Sequence, residues 1–120
     1  MNLTIGSTTY DLVATERNGQ FVAHALTTGE RQERFGIETA GTSAAEALDR
    51  LSRWLEWQHA HTRALEALQQ AERAYHRAMG DAAFAIARDL SAPDPSKASL
   101  EQVEVARRHL DDVRGRRPNV

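Results

Sequence analysis

The sequence predicts an α+β fold: a small antiparallel sheet followed by a long helix and a shorter return helix. Three observations carry this. Residues 1–40 show short runs of alternating polar and apolar residues broken by glycine turns. Residues 44–90 hold no proline and a single glycine. Between them, Gly41-Thr42-Ser43 marks an abrupt change from a two-residue to a helical period.

Leu3-Thr4-Ile5 and Tyr10-Asp11-Leu12-Val13-Ala14 alternate as half-buried strands do. Gly6-Ser7 between them reads as a bulge or a tight turn. Asn18-Gly19 is the strongest two-residue hairpin signal, since both residues tolerate positive φ. Gln20-Phe21-Val22-Ala23-His24-Ala25-Leu26 is then the returning strand, with His24 a surface position. Thr28-Gly29-Glu30 reads as a second turn. Arg34 to Thr39 is a further strand with Phe35, Ile37 and Thr39 on one face. The result is a meander of three or four strands over residues 1–41.

Ser43-Ala44-Ala45-Glu46 reads as a capping box. The Ser43 hydroxyl accepts the Glu46 amide, and the Glu46 carboxylate is expected to reach back to the Ser43 amide. A cap of this kind is worth about 1 kcal/mol. The helix it opens is expected over 43–90, about 70 Å at 1.5 Å per residue. Its apolar seam reads as Leu48, Leu51, Leu55, Gln58, Thr62 and Leu65, then Leu68, Glu72, Tyr75, Met79, Ala82 and Ile86. The two runs join with a three-three step at 62-65-68, a stammer. Gly80 weakens the helix by about 1 kcal/mol and is expected to kink or end it. The loop at Ser91-Ala92-Pro93-Asp94-Pro95-Ser96 supplies Asp94 as a cap and Pro95 at the first helical position. The return helix is expected over 94–114, with Leu100, Val103, Ala106, Leu110 and Val113 as its stripe. Residues 115–120 are a basic tail, and the whole of 1–120 is read as one domain.

The residues from Phe21 to Leu55 carry a further signal. Phe21-Val22-Ala23 is an aromatic-Val-Ala strand. Gly36, Gly41, Ser43, Glu46, Ala47 and Leu48 then follow the spacing Gly-x4-Gly-x-Thr/Ser-x-x-Glu-Ala-Leu. This stretch resembles the N-terminal half of HicB-type antitoxins, and covers roughly a third of the chain. The resemblance implies a small sheet backed by a helix and, in function, toxin neutralisation. The chain departs from the family in two places. It lacks the Pro-Asp-Leu-Pro-Gly segment before the last strand, where Leu26 to Arg34 forms a longer hairpin. It also lacks the C-terminal DNA-binding part, so operator binding is not carried over.

Composition narrows the function classes. The net charge of −2 gives no general attraction to nucleic acid or an anionic membrane. Cysteine is absent, which excludes disulfide and thiol chemistry. No basic-then-apolar leader and no transmembrane-length apolar run is seen, so a cytoplasmic location is expected. Lys97 is the one lysine against fourteen arginines, a bias that fits a GC-rich bacterial genome. Hydrophobic residues make up 41%, but many are alanine, which buries little area. A helical half of this kind is expected to complete its core with a second chain, as a homodimer.

No catalytic signature is present and no cofactor is expected. Glu56-Trp57-Gln58-His59 has the Glu-x-x-His step of di-iron bundles. The second such motif is missing, and His59 and His61 point to different faces, so no metal is assigned. Trp54 and Trp57 lie one helical turn apart, as packing or interface residues. The long helix is expected to outrun its sheet and its return helix. Leu51, Trp54, Leu55, Trp57, Gln58, Thr62, Leu65 and Leu68 are therefore the interface candidates. The expected function is a non-enzymatic protein–protein interaction module, antitoxin-like or a phage or mobile-element accessory protein. The competing reading is a nucleic-acid-binding regulator using the sheet and Arg107, Arg108, Arg114, Arg116 and Arg117. Glu101, Glu104, Asp111 and Asp112 are interleaved with those arginines, which favours a mixed solvated face.

Overall fold

In a computed structural model of the chain, residues 1–29, 31–88 and 96–119 are described, and for 85–88 only the backbone. Four strands and two helices follow one another: β1 (Asn2–Ile5), β2 (Thr8–Arg17), β3 (Gln20–Thr27), β4 (Arg34–Gly41), α1 (Ala44–Arg88) and α2 (Ser96–Gly115). The α+β fold expected from the sequence is therefore present. The strands form one antiparallel meander in the order β1-β2-β3-β4. Among the described residues, no helix is long and apolar enough to cross a membrane.

Local chemistry accounts for the turns. Gly6, at φ 60°, opens the two-residue turn between Ile5 and Thr8, which are paired. A positive φ at that first central position is what a type II′ hairpin requires. Asn18 and Gly19 both have positive φ, 53° and 80°, the type I′ requirement, and Arg17 pairs with Gln20 across them. The first strand is tied down at its start: the Met1 amine donates to the Leu12 carbonyl, and the Leu12 amide donates to the Met1 carbonyl. Between β3 and β4, Ala23 pairs with Thr39 but Ala25 pairs with Phe35, so β4 carries a bulge around Gly36. Gly36 sits at φ 77°, and a Cβ there would lie 3.1 Å from the Trp54 ring. The bulge also lets Arg34 reach Glu38 at 2.9 Å, with Arg17 on the other carboxylate oxygen.

The chain divides into two compact units. The first is residues Met1–His59 with Arg117–Val120; the second is Ala60–Arg116. In the first unit the first turns of α1 lie on the sheet. Tyr10, Leu12, Ala23 and Ala25 from the strands are buried with Ala47, Leu51, Trp54 and Leu55 from the helix. Tyr10 stacks on Phe35 with ring centroids 5.0 Å apart. On the other sheet face, Val13 pairs with His24, and both are half-buried.

The helix start differs from the expected box in one respect. The Glu46 amide donates to the Ser43 hydroxyl, as expected. The Glu46 carboxylate, however, accepts from Thr42, from its hydroxyl at 2.6 Å and its amide at 3.4 Å, and not from the Ser43 amide. Thr42 offers two donors to one carboxylate oxygen, so it outcompetes a single amide. Arg50 closes the arrangement, holding Glu46 at 2.9 Å and the Ala40 carbonyl at 2.8 Å.

The second unit is a helical hairpin of the distal part of α1 with α2. Helix α1 runs through Gly80 without interruption. The loop expected at 91–96, with Asp94 and Pro95, lies outside the described residues up to Pro95, as do Glu30 of the second turn and the side chain of Ile86. Helix α2 ends at Gly115, where the Arg116 amide turns back to the Val113 carbonyl.

The seam expected along α1 is corrected here. Thr62 and Met79 are exposed, while His61, Ala64, Leu68, Ala71, Tyr75, Ala78 and Ala82 carry the half-buried and buried positions. Stepping from Gln58 to His61 and then to Ala64 moves the three-three step from 62-65-68 to 58-61-64, after which three and four alternate through Ala82. On α2 the buried set is Val103, Leu110 and Val113, with Ser96, Ser99 and Ala106 half-buried. Leu100, expected in the stripe, is 41% exposed, because Ser99 holds the heptad position beside it.

Candidate functional site

The interface candidates on α1 fall into two groups. Leu51, Trp54 and Leu55 are buried in the sheet–helix core of the first unit. The expectation that this stretch is uncovered is therefore corrected: four strands give the sheet enough width to cover these turns. Trp57 is half-buried, 6.4 Å from Trp54 between ring centroids, and the Arg117 guanidinium lies 5.6 Å over its ring. Gln58 is half-buried. Its Oε1 and the Trp54 Nε1 are shut from solvent with no hydrogen-bond partner. Thr62 is exposed, and Leu65 and Leu68 are half-buried in the second unit.

The C-terminal arginines are largely engaged within the chain. Arg108 Nε donates to the Glu104 carbonyl at 3.4 Å, and Arg114 Nε donates to His61 Nε2 at 3.4 Å. Arg116 is paired with Asp112, and Arg117 covers Trp57. Arg107 shares a shallow surface depression with Glu104, Arg108 and Asp111. The potential there is mixed in sign, which does not match a phosphate backbone. Glu56 is exposed and His59 half-buried. Among the described residues, no group of three His, Asp or Glu side chains is gathered as a metal site would need.

A different surface stands out. Of the large apolar side chains that are exposed, four lie on the hairpin: Met79 at 48%, Phe84 at 71%, Leu100 at 41% and Val105 at 59%. Of these, Val105 lines a groove between the two helices. Ala67 and Ala71 of α1 line one wall; Ala98, Gln102, Val105, Ala106 and His109 of α2 line the other, with Glu101 at the edge. Short side chains let a further helix axis approach closely. On α1 the alanines recur as Ala60, Ala64, Ala67, Ala71, Ala74 and Ala78, in steps of four and three. On α2 the exposed groove residues recur as Ala98, Gln102, Val105 and His109, again four-three-four. On α2 this is a second helical stripe, adjacent to the one the hairpin buries; on α1, Ala64, Ala71 and Ala78 belong to the buried seam, with Ala60 and Ala67 exposed beside it. Sequence reasoning passed over them because alanine, glutamine and histidine do not stand out as an apolar stripe, yet the spacing alone marks them.

The chain matches no family model, no curated protein and no solved structure. The function reading therefore stands on this geometry.

Proposed function

We propose that this protein is a non-enzymatic protein–protein interaction module that self-associates as a homodimer through its helical hairpin. The observation that carries the reading is the groove between the two helices, lined by Ala67, Ala71, Ala98, Gln102, Val105 and Ala106, with Val105 59% exposed. A single layer of two helices leaves the second stripe of α2, Ala98, Gln102, Val105 and His109, facing water, and stable helical cores are built from more than one layer. Scattered exposed apolar side chains such as Met79, Phe84 and Leu100 need no explanation; a groove with Ala98 and Val105 exposed along it marks an interaction surface. The engaged state of Arg114, Arg116 and Arg117 also favours this reading over nucleic-acid binding.

The biological form proposed is an antitoxin-like or phage or mobile-element accessory protein acting in the cytoplasm. Its support is the resemblance of residues 21–55 to HicB-type antitoxins. Co-expression of two differently tagged copies tests the association directly. Purification on one tag is expected to recover the other copy in comparable amount. Recovery of one tag alone contradicts the reading.

A further inference from the structure

We propose that the groove-side face of α2 is the dimer seam, and that its occupant is the same face of a second copy's α2, running antiparallel. This rests on the self-association reading and adds the partner, the direction and the register. Ala98, Gln102, Val105 and His109 are spaced four-three-four, which reads the same in both directions. A two-fold axis therefore lays Ala98 on the partner's His109, and Gln102 on the partner's Val105, with each contact made twice. All four line the groove, and Val105 is 59% exposed.

Charge selects the second copy and its direction. Glu101 and Arg108 are both exposed and stand seven residues apart, on one flank of this seam. Flanking positions of an antiparallel helix pair meet their own kind across the axis. The same two-fold that aligns these seam positions brings Glu101 against the partner's Arg108, twice. A parallel pair of the same seams would set Glu101 beside the partner's Ala106 and Arg108 beside the partner's Val113, leaving both charges without an opposite partner. The face is thus self-complementary in charge only when antiparallel. Ala67 and Ala71 of α1 flank the groove with side chains short enough to admit the incoming helix. Two hairpins joined this way place four helices around one core, the arrangement that lets α2 bury both its stripes.

Sedimentation equilibrium on the intact chain tests this, with circular dichroism confirming that each variant keeps its helices. Glu101→Arg and Arg108→Glu each turn two attractive pairs into two repulsive ones. Each is expected to raise the dimer dissociation constant about tenfold or more, the equivalent of 1.4 kcal/mol. The double variant Glu101→Arg/Arg108→Glu restores opposite charges and is expected to return to near the wild-type value. Val105→Asp, at the centre of the seam, is expected to give a monomer. A dimer indifferent to these changes, or a double variant as weak as the singles, overturns the seam while leaving self-association intact. A wild-type chain that is monomeric throughout overturns both.

Discussion

The Thr39 hydroxyl donates to the Ala47 carbonyl at 2.7 Å, and both residues are buried. This one bond links the last strand to the second turn of α1, where the sheet hands over to the helix. Thr39→Val keeps the shape and removes the donor. Because the Ala47 carbonyl remains within the helix ladder, no acceptor is orphaned, and the loss is that of one net hydrogen bond, about 1 kcal/mol. Urea unfolding is expected to show a lower midpoint with unchanged slope.

Two glycines on either side of this junction behave oppositely on substitution. A Cβ at Gly41 would stand 2.7 Å from the Ala47 amide nitrogen and 3.2 Å from the Ala47 Cα. Backbone cannot rotate out of the way as a side chain can, so Gly41→Ala is expected to destabilise by about 1–3 kcal/mol. Gly80 lies inside α1 with nothing within 4 Å of its Cβ position. Gly80→Ala relieves backbone entropy and is expected to stabilise by about 0.5–1 kcal/mol. Thermal melts of the two variants should shift in opposite directions.

Glu46 gives the junction a pH dependence. The Thr42 hydroxyl first, then the Thr42 amide and the Arg50 charge, hold its carboxyl below the ordinary value. A depressed carboxylate stabilises the fold fully above its unfolded value of about 4.3 and loses that contribution as pH falls through the lower folded value. Glu46→Gln removes the titration. The stability gap between wild type and Glu46→Gln is expected to narrow as pH drops from neutral through this window. A constant gap in urea melts across the same range contradicts the assignment.

The strands were legible because their turns carry chemistry that few residues supply: Gly6-Ser7, and Asn18-Gly19 with positive φ at both positions. The helix start was legible through Ser43, although Thr42 rather than the Ser43 amide engages Glu46. The β4 bulge was not, because Phe35, Ile37 and Thr39 alternate as in a regular strand and only the pairing with Ala23 and Ala25 shows the shift. The expected seam of α1 misplaces two positions, Thr62 and Met79. Thr62 and His61 are both polar, and a residue's polarity does not decide which of two neighbours faces inward. Leu65 and Leu68 then fitted either choice. The groove stripes were hidden for a related reason: alanine is compatible with core, surface and interface alike, so burial had to come from the packed helices.

The proposed homodimer joins two copies of this chain through the hairpin. Size-exclusion chromatography with light scattering over a dilution series of the intact chain measures it most directly. The expected result is a species of twice the chain mass that falls toward the chain mass on dilution, and at every concentration a smaller weight-average mass for Val105→Asp. A species of single-chain mass at every concentration contradicts it.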